Sequence, residues 1–86
     1  MATTRSELSR LKNLGPVSAG WLHAIGVYTE ADLRDLGPVE AYGQITALFP
    51  GTSLNLLYAL HGALENQHWA QLPEEVKAKL RSEARD

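Results

Sequence analysis

With 86 residues, 44% of them apolar, and a net charge of −2, the chain has the size of one domain with a modest core; folding hides roughly 60–65% of its unfolded surface. Cysteine is absent, which excludes disulfides, thiolate metal centres and thiol nucleophiles, and the acidic balance is unlike that of a domain gripping nucleic acid by bulk charge. No apolar run reaches the roughly 20 residues of a membrane span, and Met1 to Glu7 holds no apolar signal core, so a cytoplasmic protein is expected.

The predicted elements are all helices. Thr4 followed by Glu7 forms a capping-box pattern and predicts a first helix over 4–12. Pro16, suited to the first helical position, opens a helix over 16–25 that Gly26 ends. Thr29 with Asp32 marks the next start, over 29–35, and Pro38 opens 38–48. After the Pro50-Gly51 turn, Ser53 is expected to cap a helix over 53–66. Pro73 with Glu74 and Glu75 opens a last helix over 73–84, carrying a narrow stripe of Val76, Leu80 and Ala84 and a Glu75–Lys79 pair at i,i+4. No segment alternates like a strand. The expectation is a single all-α domain over 1–86, of five to six short helices.

The segment from Ser53 is apolar nearly all round: Leu54, Leu56, Leu57, Tyr58, Ala59, Leu60, Ala63 and Leu64. Such a helix is central, or it is covered by a partner. Leu54, Leu57, Tyr58 and His61 are therefore candidate interface residues, and a homodimer through them is expected if that face is open. Gly62 inside this helix costs about 1 kcal/mol against alanine, which a close crossing over Ala59, Gly62 and Ala63 would offset. Trp69 is expected to plug the join between the last two helices.

Leu11 to Ala19 aligns with Leu33 to Ala41 at an offset of 22 residues, sharing L-x-x-L-G-P-V-x-A. One supersecondary unit used twice predicts two superimposable turns. Asn13-Leu14-Gly15-Pro16-Val17-Ser18-Ala19 is similar to a helix–hairpin–helix turn, with Asn13 where the first glycine stands. Asparagine tolerates the left-handed conformation. A turn of this kind aims the N–H groups of Val17, Ser18 and Ala19 at an anion, and Arg10 and Lys12 add positive charge. Arg10, Lys12, Asn13, Gly15, Val17, Ser18 and Ala19 are the candidate nucleic-acid contacts, to backbone phosphate rather than bases. The same turn also serves simply to pack two helices. In the second hairpin Asp35 and Glu40 would repel a phosphate, so that turn is read as structural.

His23, His61 and His68 have no metal-ligand spacing, and no nucleophile elbow, phosphate loop or dinucleotide fingerprint is present. No catalytic residue, metal, cofactor or small-molecule substrate is expected. The aromatic side chains are not interleaved with basic ones and are read as core.

The run Leu11 to Leu33, with L-x-x-L-G-P-x-S-A-x-W-L-x-x-x-G-V-x-T-x-x-D-L, resembles the C-terminal domain of the TfoX (Sxy) competence regulators. Leu36 to Tyr42 does so too, as does Pro50 to Pro73 with P-G-x-S-L-N-L-L-Y-A-L-x-G-A-L followed by H-W and L-P. The resemblance is to that domain as a stand-alone copy. It implies a helical, non-enzymatic bacterial domain associated with transcription and competence regulation beside a cyclic-AMP-responsive activator. Two partner readings stay open: a DNA backbone or transcription regulator met through the first hairpin, and a protein-interaction module without nucleic acid.

Overall fold

The computed structural model describes residues 7–85. Five α-helices follow one another: α1 Pro16–Ala24, α2 Glu30–Leu36, α3 Pro38–Leu48, α4 Asn55–Glu65 and α5 Glu74–Arg85. Short 3₁₀ turns precede α1, at Glu7–Arg10, and join α4 to α5, at Trp69–Gln71. No strand occurs among the described residues.

Local chemistry accounts for most boundaries. Pro16 and Pro38 open α1 and α3. Gly26, at φ 86°, ends α1 by donating to the His23 carbonyl, while the Val27 N–H reaches back to Leu22 at 2.9 Å. That double bond is a Schellman close, and buried Val27 sits beside Leu22 in the core. Thr29 caps α2 as a full box: its hydroxyl accepts from the Asp32 N–H at 3.0 Å, and the Asp32 carboxylate accepts from the Thr29 N–H at 3.2 Å.

Three expectations are corrected. The first helix, expected over 4–12, is a single 3₁₀ turn at Glu7–Arg10; Thr4 of its capping box lies outside the described residues. Ser53 does not cap α4 with its side chain. Its carbonyl accepts from Leu56, and that of Leu54 from Leu57, so the helix starts in a tight i→i+3 turn. The Glu75–Lys79 pair is not formed; Glu74 binds Arg81 instead, at 2.8 Å.

Helix α4 is the centre of the molecule. Leu56, Ala59, Leu60 and Ala63 close the main core with Leu8, Leu14, Leu22, Leu33 and Ile45. On its other side Leu57 and Tyr58 meet Leu72 and Leu80, which docks α5 through the expected stripe of Val76, Leu80 and Ala84. Trp69 packs into this second cluster, as its place in the sequence suggests, with the Lys77 ammonium 5.6 Å from its ring. A helix apolar nearly all round is thus largely covered within the chain. Leu57 is fully buried and Tyr58 nearly so, which removes both as interface residues; His61 is half-buried and Leu54 is exposed.

Candidate functional site

The two repeated turns share their second half and differ in their first. Each helix begins Gly-Pro, with the N–H of Ala19 or Ala41 donating to the carbonyl of Gly15 or Gly37, and each of these alanines is buried. In the first hairpin the chain reverses at Asn13, whose φ is 75°, and Gly15 is ordinary extended backbone at φ −123°. In the second, Asp35 is still helical and Gly37 itself makes the reversal at φ 91°. The turns are therefore not superimposable. Six shared letters encode the same helix start but not the same approach to it.

Asn13 explains the difference. Its amide nitrogen donates to the Gln67 carbonyl at 2.8 Å and, more weakly, to Ala59 at 3.4 Å, while its oxygen accepts from the Trp69 N–H at 3.1 Å. One side chain thus ties the first hairpin to the end of α4 and the turn after it. Gly62 leaves the room: a Cβ there would lie 2.6 Å from the Asn13 nitrogen and 2.5 Å from the Gln67 oxygen. The close approach expected at Gly62 is made by this amide and carbonyl rather than by a crossing helix.

At the start of α1 no side chain caps the helix. Pro16 has no N–H, and that of Ala19 is taken by Gly15, so Ala19 is not an anion donor. The N–H groups of Val17 and Ser18 remain without a protein acceptor, on a helix whose first turn has no acidic residue. Arg10 and Lys12 are exposed on the approach, and Gly15 and Ser18 are half-buried. The turn offers two unpaired donors, with two exposed cations in the segment before it, a set that could meet one anionic group.

The second hairpin lines a feature that the residue pattern did not reveal, an open groove of about 630 Å³ against α5. Leu36, Pro38, Val39, Val76 and Leu80 make its floor. Glu40, Glu83, Lys79 and His61 stand on its rim. Glu40 accepts from Gln44 at 3.1 Å and Arg34 is held by Glu30 at 2.7 Å, so this side offers no cation cluster to a phosphate. Only the coming together of segments 36–40 and 76–83 creates it, which no local motif reports.

The other titratable groups serve the fold. The Glu74 carboxyl is held below its ordinary value because Arg81 donates to it, and Arg81 is raised in turn by Glu74 and by the Tyr58 hydroxyl, 2.8 Å away. His68 accepts the Ala70 N–H on Nδ1, and His23 stacks on Tyr28 at 5.1 Å. Among the described residues no three His, Asp or Glu side chains come together to hold a metal. None of the described helices is long and apolar enough to cross a membrane.

Two solved structures from Listeria monocytogenes are similar throughout. One, an uncharacterized protein in a triclinic form, is 35% identical over 86% of this chain and 84% of its own, with a TM-score of 0.82. The other, a protein of unknown function in a tetragonal form, is 33% identical over 91% of this chain and 96% of its own, with a TM-score of 0.83. No curated protein matches. The profile of the TfoX C-terminal domain covers residues 4–84, so the chain belongs to the TfoX C-terminal domain family.

Proposed function

We propose that the chain is a non-catalytic regulatory domain that touches the phosphate backbone of a nucleic acid at the start of α1. The observation that carries the reading is the uncapped first turn of α1, with the Val17 and Ser18 N–H groups unpaired and with Arg10 and Lys12 exposed in the segment that leads into it. Aligned N–H groups and the positive end of the helix dipole favour an anion there. The set is small, so it neutralises one or two phosphates and reads no bases. Family membership supports the regulatory setting, in which a sequence-reading activator beside this domain supplies base recognition.

The test is an amide NMR titration of the full chain with a short duplex. Shifts should centre on Leu14 to Ser18, be indifferent to base sequence, and give a slope of log K against log salt of about −1 to −2. Lys12→Glu should abolish them. Arg34→Glu, at the matching place in the second repeat, should change little, since that guanidinium is already held by Glu30. Shifts at Leu36 to Ala41, or none at millimolar duplex, would refute the reading.

A further inference from the structure

The two apolar clusters of the chain are unequal, and α5 belongs only to the smaller. Twelve buried residues between Leu8 and Ala63 make the main core, and none of them lies on α5. The second cluster has four, Leu57, Tyr58, Leu72 and Leu80, of which α5 supplies Leu80 alone. Val76 and Ala84 are half-buried beside it. Otherwise the helix from Glu74 to Ala84 faces solvent, apart from half-buried Lys77 and Arg81. On the side of the second hairpin α5 does not close onto its neighbour, since the open groove of about 630 Å³ runs along that seam.

Few ties cross the joint before α5. Leu72 is extended, at φ −67° and ψ 136°, and Pro73 has no N–H to donate. Among the described residues no backbone hydrogen bond runs between residues 73–85 and residues 7–72. Among the same residues, one side-chain hydrogen bond does so, from Arg81 to the Tyr58 hydroxyl at 2.8 Å. Lys77 adds its ammonium, 5.4 Å from the Tyr58 ring and 5.6 Å from that of Trp69. The Glu74–Arg81 ion pair lies within α5 and ties nothing across. Both polar ties therefore end on Tyr58 or Trp69, and water can replace each of them at the two cations, so release costs little.

We propose that α5 is a strap that releases as one unit about the Leu72–Pro73 joint while the main core stays folded. A unit held by few apolar contacts opens at a free energy below that of global unfolding. The strap covers the side of α4 that carries Leu57 and Tyr58, together with Val39 on α3. In the closed form Leu57 and Tyr58 are internal; release presents them to solvent beside Leu72. The side of α4 that its apolar pattern marked for a partner is thus masked by the last helix of the chain itself. Once undocked, a helix of 12 residues is marginal in water, so release also melts α5.

The test is native-state hydrogen exchange of the full chain in low urea, followed amide by amide by NMR. Corrected for intrinsic rates, the Leu80 to Glu83 amides should exchange at least about 10-fold faster than those of Leu22 and Leu60. They should share one opening whose urea dependence is under about half that of the core, because less surface is exposed. Ile45→Val, in the main core, should speed the core amides about 2- to 10-fold and leave Leu80 unmoved, because the open form keeps that core intact. Tyr58→Phe keeps the ring and removes the acceptor of Arg81, so it should speed Leu80 about 2- to 10-fold. One common free energy for all amides, an Ile45→Val effect that reaches Leu80 in full, or an unmoved Leu80 in Tyr58→Phe overturns the proposal. So does protection that fades residue by residue toward Arg85 without urea dependence, which is fraying of the helix end and not release.

Discussion

Replacing Gly62 by alanine tests the joint that Asn13 makes between the first hairpin and α4. On helix propensity alone the change should stabilise by about 1 kcal/mol. The structure reverses the sign. The new Cβ would stand 2.5 Å from the Gln67 oxygen and 2.6 Å from the Asn13 nitrogen, and the first of these is backbone, fixed by the turn that follows α4. Relief requires moving the 66–69 turn outward by most of an ångström, which breaks the 2.8 Å Asn13–Gln67 bond and strains the 3.1 Å bond from the Trp69 N–H. Two hydrogen bonds at about 1 kcal/mol each and overpacking of about 1–2 kcal/mol outweigh the propensity gain, leaving a net loss of about 2 kcal/mol. For a domain of this size that lowers Tm by roughly 8–16 °C. Thermal melts followed by tryptophan fluorescence and circular dichroism measure it. Asn13→Gly and Asn13→Ala separate the two roles of Asn13: both lose the amide bonds, but only alanine is also strained at φ 75°, so it should be worse by about 1 kcal/mol. In Asn13→Gly, the further change Gly62→Ala should cost less than it does alone, since one of its two clashes has gone. A Gly62→Ala chain melting at or above the parent temperature would refute the reasoning.

The glycines of the two repeats should respond oppositely to alanine. Gly37, at φ 91° and ψ 150°, occupies a region nearly reserved for glycine, and Gly37→Ala should cost about 1–3 kcal/mol in urea unfolding. Gly15 is extended with nothing within 4 Å of its would-be Cβ, so Gly15→Ala should stay within about 0.5 kcal/mol of the parent; equal costs would contradict the two different turns. Arg81 holds the Glu74 carboxyl below its ordinary 4.5 in the folded state, so its contribution is present above that pH and is lost as pH falls through the lowered value. Glu74→Gln should therefore flatten the acid side of the stability curve while leaving the dependence above about pH 6 unchanged, as read from unfolding midpoints across pH.

Features set by neighbours in the chain were legible in advance. Pro16, Pro38, Gly26 and the Thr29–Asp32 box mark helix ends because their effect is complete within four residues. The all-apolar pattern of α4 likewise announced a helix to be covered. It could not say by what, because the cover is α5 and the main core, assembled from remote segments. Side-chain destinations were illegible for the same reason. Asn13 was readable as a residue tolerant of the left-handed turn, but its amide bonds lie with Ala59, Gln67 and Trp69, at the far end of the chain. In place of the expected Glu75–Lys79 pair, Glu74 accepts from Arg81, whose guanidinium also donates to the Tyr58 hydroxyl on α4. In the candidate site, Arg10 and Lys12 are exposed, while Ala19 dropped out because its N–H closes the first helical turn.

The repeat is where pattern and physics part most clearly. Identical letters at Leu-Gly-Pro-Val-x-Ala impose the same helix start, because proline fixes φ and the buried alanine permits close packing. What precedes them is decided by whether a full helix or a short 3₁₀ turn arrives. Helix α2 runs to Leu36 and leaves only Gly37 to reverse the chain, so the glycine must take a positive φ. The Glu7–Arg10 turn stops early, the reversal falls two residues sooner on Asn13, and Gly15 is released into an ordinary conformation. Once Asn13 makes the turn, its side chain can reach the α4 end and anchor the hairpin there. The second turn instead stands against α5, which covers Val39 and leaves the equivalent Val17 in the open. Two copies of one motif thus acquire different surroundings from what packs beside them: one stands under α5, and the other presents a bare helix start with Val17 exposed.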